Sequence, residues 1–221
     1  MYFERKAQKL GFRVIAGADE AGRGCLFGPV YAAAAVLDPR KPIRGLNDSK
    51  QLTAAEREKL AAEIRSKAAG FAVAAASIAD IRRLNIYHAS RLATKRALCA
   101  LPLAPDYALL DFLRVDLPLE QLPLVKGDAR SRSIAAASIL AKVARDEAMM
   151  QWDRVYPQYG FARHKGYGTP EHLAALEQFG PTPLHRLSYA PVALVSPEAR
   201  YRKAAIPEQT NLFDALCEAF Q

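Results

Sequence analysis

Phe12-Arg13-Val14-Ile15-Ala16-Gly17-Ala18, Asp19-Glu20-Ala21-Gly22-Arg23-Gly24-Cys25-Leu26-Phe27-Gly28 and Val30-Tyr31-Ala32-Ala33-Ala34-Ala35-Val36-Leu37 are successive pieces of one run. The outer two read as buried strands, and the glycines of the middle piece mark a turn, so the chain is predicted to open with a hairpin. Two adjacent acids sit in that connection, immediately after the first strand. Side chains alternate across a strand, so Asp19 and Glu20 can face a common ion only if the pleat breaks at Gly22-Arg23-Gly24.

Beyond the hairpin, strands and helices alternate. Thr53-Ala54-Ala55-Glu56 matches a capping box that opens a helix to about Lys67, and Gly70 to Ile78 reads as a strand of small residues. Asn85 to Leu101 has helical apolar spacing and ends at Pro102; Tyr107 to Leu110 then reads as a short buried strand, and Leu124-Val125-Lys126 as another. Ser131 to about Trp152 is the longest helical pattern, apolar on several faces and therefore predicted to be central. Thr169-Pro170-Glu171 starts a helix ending near Gly180. This alternation predicts an α/β fold, a mixed sheet covered by helices with a helical C-terminal part. Residues 1–191 are predicted to form the main domain, and 192–221 a tail with a short helix.

Composition narrows the partners. Lys and Arg number 31 against 23 Asp and Glu, a net charge of +8 that favours a polyanion. Cys25, Cys99 and Cys217 are odd in number and widely spaced, which suits a reducing compartment and gives neither a disulfide framework nor a zinc spacing. The N-terminal residues do not resemble a signal peptide and no apolar run is long enough for a bilayer, so a cytoplasmic protein without a membrane role is expected. His88, His164, His172 and His185 lack ligand spacing and read as surface or packing residues.

Four carboxylates fall where strands run out: Asp19, Glu20, Asp111 and Asp128. Gathered together they would repel one another unless they held cations, and hard oxygen ligands suit Mg²⁺ or Mn²⁺. Two such ions about 3.5–4 Å apart would clamp the attacking and leaving oxygens of a phosphodiester.

Several motifs, in order, resemble one family. Gly17-Ala18-Asp19-Glu20-Ala21-Gly22-Arg23-Gly24, Gly45-Leu46-Asn47-Asp48-Ser49-Lys50-Gln51-Leu52, Lys126-Gly127-Asp128 with Ser138 to Asp146, and His164-Lys165-Gly166-Tyr167-Gly168-Thr169 are similar to the signatures of the ribonuclease HII enzymes, over roughly residues 12–192. The resemblance implies a ribonuclease H-like fold and a two-metal site, Mn²⁺ or Mg²⁺, on Asp19, Glu20, Asp111 and Asp128. It further implies cleavage 5′ to a ribonucleotide in duplex DNA and hydrolysis of RNA in RNA–DNA hybrids, leaving a 3′-hydroxyl and a 5′-phosphate. The implied substrate reader is Gly22, Arg23 and Gly24 acting with Tyr167: glycine lets backbone groups approach the 2′-hydroxyl, which alone marks ribose. Asn47, Lys50, Ser131 and Ser133 are candidates for contacts to the nucleic-acid backbone. Two positions depart from the family: Phe112 follows Asp111 where glycine is usual, and Cys25 stands where proline is common.

Gln209-Thr210-Asn211-Leu212-Phe213 resembles the bacterial sliding-clamp-binding pattern, with Gln209, Leu212 and Phe213 as its matched positions. A monomer is expected. The competing readings are a nuclease of the same fold for another nucleic acid, and a non-catalytic nucleic-acid-binding module; the four acids argue against the second.

Overall fold

Five strands form one mixed sheet: Ile15–Ala21 (β1), Val30–Val36 (β2), Gly70–Ala76 (β3), Tyr107–Asp111 (β4) and Glu120–Leu124 (β5), in the order β3-β2-β1-β4-β5. The central strand β1 pairs antiparallel with β2 and parallel with β4, and β5 runs parallel to β4 at the edge. Among the described residues seven helices accompany the sheet: Tyr2–Lys9 (α1), Ala54–Lys67 (α2), Ile78–Cys99 (α3), Arg132–Val155 (α4), Phe161–His164 (α5), Pro170–Phe179 (α6) and Ala190–Val195 (α7). The computed structural model describes residues 1–195; the predicted tail helix, Cys217, Gln209, Leu212 and Phe213 lie outside the described residues. No described helix is long and apolar enough to cross a membrane.

The mixed sheet and most helices match the expectations from sequence. The Thr53 capping box is complete, with the Glu56 carboxylate accepting the Thr53 amide at 2.8 Å, and α2 ends at Lys67 as predicted. Thr169 caps α6 through the His172 amide.

Several boundaries differ. The first strand runs on through the acids: Asp19 stands opposite Ala33, Glu20 opposite Ala32 and Ala21 opposite Tyr31. The fifth strand is Glu120–Leu124 rather than Leu124 to Lys126, because Lys126 turns into the left-handed region (φ 54°) and ends the extended chain. Pro123 is accommodated there because β5 is an edge strand. Helix α3 begins at Ile78, where Ser77 and Asp80 cap each other, and breaks at Asn85 (φ 64°), whose side chain re-caps the following segment by accepting the Tyr87 and His88 amides. Helix α1 carries no strong sequence signal; its place is fixed by Glu4, discussed below.

Contacts divide the chain into two compact units, one of Met1–Ala21, Tyr31–Ala75 and Ser90–Ala144, the other of Gly22–Val30, Ala76–Ala89 and the described residues from Arg145. In the first, Ala33 and Ala35 of β2 pack with Leu60, Ala61 and Ile64 of α2 and with Ala136, Ala137, Ile139 and Leu140 of α4. Small residues on the strand let the helix approach closely. At Gly17 the approach is extreme: a β-carbon there would lie 2.1 Å from the Ser133 carbonyl carbon and 2.3 Å from the Ile134 nitrogen. The second unit has an aromatic core in which Phe27 (3.9 Å between centroids) and Tyr159 (5.3 Å) both stack on Phe161.

Gly17→Ala is therefore expected to lower stability by about 3 kcal/mol or more, since helix backbone rather than a flexible side chain must move. Denaturant unfolding checks this; a loss below about 1 kcal/mol would mean that α4 can lift off β1 freely.

Candidate active site

Three of the four predicted acids converge. Asp19 lies in the last turn of the β1 ladder, Asp111 is the final residue of β4, and Asp128 sits in the 3-10 turn Gly127–Ala129 after β5. One oxygen from each lies within 4.8 Å of the others. Parallel pairing of β1 with β4 and of β4 with β5 brings these ends together. Glu20 is not in that group. The ladder to β2 runs unbroken through Asp19, Glu20 and Ala21, so these successive side chains leave on opposite faces, and the chain departs from the strand only at Gly22, where the glycine turn begins.

The cluster is electrostatically loaded. Burial first, and then the charges of Glu20 and Asp111, push the Asp19 carboxyl well above its ordinary value of 3.8. Asp128 is also raised, by burial and then by the charges of Asp48 and Asp111. Asp111 accepts the Gly127 amide at 2.7 Å, which ties β4 to the turn bearing Asp128. A divalent cation would relieve this repulsion, and an all-oxygen set suits Mg²⁺ or Mn²⁺.

Supporting residues are less visible in sequence. Ser138 of α4 hydrogen-bonds Asp19, and its hydroxyl is 2.9 Å from that of buried Ser49. The signal was a serine within an otherwise apolar stretch of a buried helix, Ala135 to Leu140. Asn47 and Lys50 are exposed, and Lys50 is near enough to lower the Asp128 carboxyl.

Ser131 and Ser133, expected to contact the nucleic-acid backbone, are instead buried. Both hydroxyls donate to the Glu4 carboxylate, at 2.7 and 2.6 Å, and the Ser133 amide donates to it at 3.0 Å. Ser131 also accepts the Ile134 amide. Glu4 thus supplies the negative charge favoured at a helix N-terminus and fixes the start of α4.

Phe112 resolves one departure from the family pattern. It has φ 63° and is 61% exposed, with its amide donating to the Leu124 carbonyl. A glycine adopts this conformation freely, whereas a phenylalanine is strained by about 1–3 kcal/mol, so the loop keeps a glycine-like path with a bulky residue.

The glycine-rich segment and Tyr167 belong to the second unit. Gly22 has φ 93°, and a β-carbon on it would lie 2.5 Å from Nε of buried Arg145. Arg145 donates to the carbonyls of Lys165 (2.7 Å), Phe27 and Pro29. Arg186, also buried, donates to the carbonyls of Arg23 (2.6 Å), Gly28 and Pro29, and Tyr189 donates to the Arg23 carbonyl. Two buried guanidinium groups therefore hold this loop by its backbone. Sequence reading missed Arg186, whose setting in His185-Arg186-Leu187 offers no pattern. Tyr167 is 41% exposed, and its hydroxyl hydrogen-bonds the buried Cys25 thiol. Cys25 is thus a partner of Tyr167 where a proline could offer none.

The raised carboxyls give a signed prediction. Between 3.8 and their raised values the folded state keeps protons that the unfolded state has lost, so metal-free stability falls as pH rises through that window. Asp128→Asn should raise the melting temperature in EDTA at pH 7, while added Mn²⁺ should stabilise the wild type far more than the variant. Equal ion-induced shifts in both would remove Asp128 from the cation site.

Known proteins place this arrangement. The model of the family described as Ribonuclease HII matches residues 16–192. A ribonuclease HII from Solibacter usitatus is 55% identical over 189 residues, 86% of this chain and 83% of its own. The crystal structure of the ribonuclease H2 from Pyrococcus horikoshii superposes with a TM-score of 0.72 at 26% identity, covering 86% of this chain and all of that one. A chain of the PCNA:RNase HII complex from Archaeoglobus fulgidus gives 0.69 at 25% identity, over 82% of this chain and 96% of that one. The fold, the ordered motifs and these matches together show that the chain belongs to the ribonuclease HII family.

Proposed function

We propose that the protein is an endonuclease that hydrolyses RNA in RNA–DNA hybrids and cuts duplex DNA 5′ to embedded ribonucleotides, leaving a 3′-hydroxyl and a 5′-phosphate. The convergence of Asp19, Asp111 and Asp128 to within 4.8 Å in a ribonuclease HII chain carries this reading. Asp19, Asp111 and Asp128 would hold Mg²⁺ or Mn²⁺, and Glu20, whose charge already raises the Asp19 carboxyl, is the fourth acid of the site. When bound, such ions supply positive charge to the attacking and leaving oxygens of the phosphodiester. Gly22, Arg23 and Gly24 present backbone groups to the 2′-hydroxyl, Arg23 holds the neighbouring phosphate, and Tyr167 packs on the next sugar. Asn47 and Lys50 serve as phosphate contacts. The roles of Arg145 and Arg186 follow from the same reading: they keep the carbonyls of the loop fixed while the strand is read.

The setting proposed is ribonucleotide removal during DNA replication and repair, by a monomer in the cytoplasm. The free thiols of Cys25 and Cys99 suit a reducing compartment. We assign catalysis to residues 1–191, in keeping with a family match that stops at 192, and sliding-clamp docking to the tail through Gln209, Leu212 and Phe213. That a structurally similar RNase HII is found in complex with PCNA supports the docking role.

Cleavage of a labelled DNA duplex containing one ribonucleotide tests the activity. Cutting 5′ to the ribonucleotide is expected with Mg²⁺ or Mn²⁺, none with EDTA, and none with Asp111→Asn. Tight binding without cutting under either metal would instead identify a binding module. For the tail, a chain truncated after Pro207 should lose clamp in a pull-down while cleaving at the wild-type rate, and undiminished clamp retention would overturn the assignment.

A further inference from the structure

Tyr167 is held through its main chain by imidazoles. His172 Nδ1 lies 2.9 Å from the Tyr167 carbonyl oxygen, His172 Nε2 lies 3.1 Å from His185 Nε2, and His185 Nδ1 accepts the Thr182 amide at 2.9 Å. For neutral rings these contacts fix every proton. A carbonyl only accepts, so His172 carries its proton on Nδ1 and presents a bare Nε2. An amide only donates, so His185 has a bare Nδ1 and its proton on Nε2, from where it donates to His172. Both side chains are fully buried, and burial lowers His172 to about 4 and His185 to about 3, which keeps the pair neutral at ordinary pH.

The dyad has two ends. At one, His172 holds the Tyr167 carbonyl, while His164, stacked on His172 with centroids 4.6 Å apart, accepts the Gly166 amide. At the other, His185 lies opposite Phe27 in an antiparallel bridge, and the next residue, Arg186, grips the Arg23 carbonyl with its guanidinium and the Leu26 carbonyl with its amide. The Leu26 amide in turn donates to the Gly166 carbonyl at 2.8 Å. The segments carrying Gly22-Arg23-Gly24 and Tyr167 are thus joined directly by the Leu26 amide and by Arg145, and behind these through two histidines that are fully buried.

We propose that His172 and His185 are positioning residues for substrate recognition: their single Nε2–H···Nε2 bond sets Tyr167 against the Gly22-Arg23-Gly24 loop and so sets the discrimination between ribose and deoxyribose. This rests on the reading of Tyr167 and that loop as the ribonucleotide reader. A dyad that merely filled the core would influence stability without acting through Tyr167.

The test is a double-mutant cycle on a DNA duplex with one ribonucleotide, read as KM and kcat. His172→Leu keeps the bulk and removes both bonds. It is expected to raise KM about tenfold, about the worth of one buried hydrogen bond, with kcat changed less. His172→Asn, whose amide replaces the Nδ1 donor but not the Nε2 acceptor, should recover only part of that loss. In a Tyr167→Ala background, His172→Leu should add nothing further. Imidazole nitrogen NMR of the unmodified protein checks the geometry directly, with His172 protonated at Nδ1 and His185 at Nε2. Additive effects in the cycle, the opposite tautomers, or a folded His172→Leu with wild-type KM would each overturn the inference. If Tyr167→Ala itself left KM and kcat unchanged, it is the reading of Tyr167 as part of the reader that fails, and the dyad's role falls with it. Should His172→Leu not fold, His172→Asn and the NMR assignment still decide.

Discussion

The absence of a side chain at Gly17 is the constraint on which the site depends. Helix α4 lies so close to the central strand that its backbone at Ser133 and Ile134 occupies the space a β-carbon would need. That contact sets the height of α4 over the sheet, and with it the place of Ser138, which hydrogen-bonds Asp19 two residues along the same strand from Gly17. Glu4 completes the arrangement from the other side by binding the amide and hydroxyls at the helix start. A strand glycine, a buried carboxylate and two serines thus do for the active-site helix what no single strong bond would do.

Around this frame the protein separates two electrostatic problems. In the first unit carboxylates are crowded until they repel, an arrangement suited to hard cations. In the second unit, the terminal nitrogens of two buried arginines donate to loop carbonyls. The cost of desolvating those cations is offset by multiple hydrogen bonds, and the bonds leave the loop little conformational freedom. Under the proposed function, a loop that distinguishes one hydroxyl from a hydrogen would need that rigidity.

Much of this was legible in the sequence, and the parts that were not have physical causes. The Thr53 capping box and the Thr169-Pro170 start are local signals, and both helices lie where they indicate. Asp111 and Asp128 were findable because acids at the ends of apolar runs are costly without a purpose. The extension of β1 through Asp19 and Glu20 was hidden because acids rarely occupy strands; here the ladder to β2 outweighs their propensity. The displaced β5 shows the same override, since its Pro123 argues against a strand until its edge position is known. Ser131 and Ser133 looked like surface hydroxyls because their partner, Glu4, is far away in sequence. The histidines looked unremarkable for the same reason: spacing reveals ligands on one element, not a bond between two.

Such long-range pairing also governs when the site can come into being. The Val14 amide meets the Asp106 carboxylate 92 residues away, and Glu4 meets Ser133 across 129. Closing loops of that length costs entropy before any contact compensates for it, so the parallel β1–β4 pairing belongs late in folding. Until then the acids are scattered along an open chain and share no ion. A divalent cation held by these acids would consequently distinguish the finished sheet from the states that precede it, and by binding only the former would shift the folding equilibrium toward completion in proportion to the logarithm of its concentration.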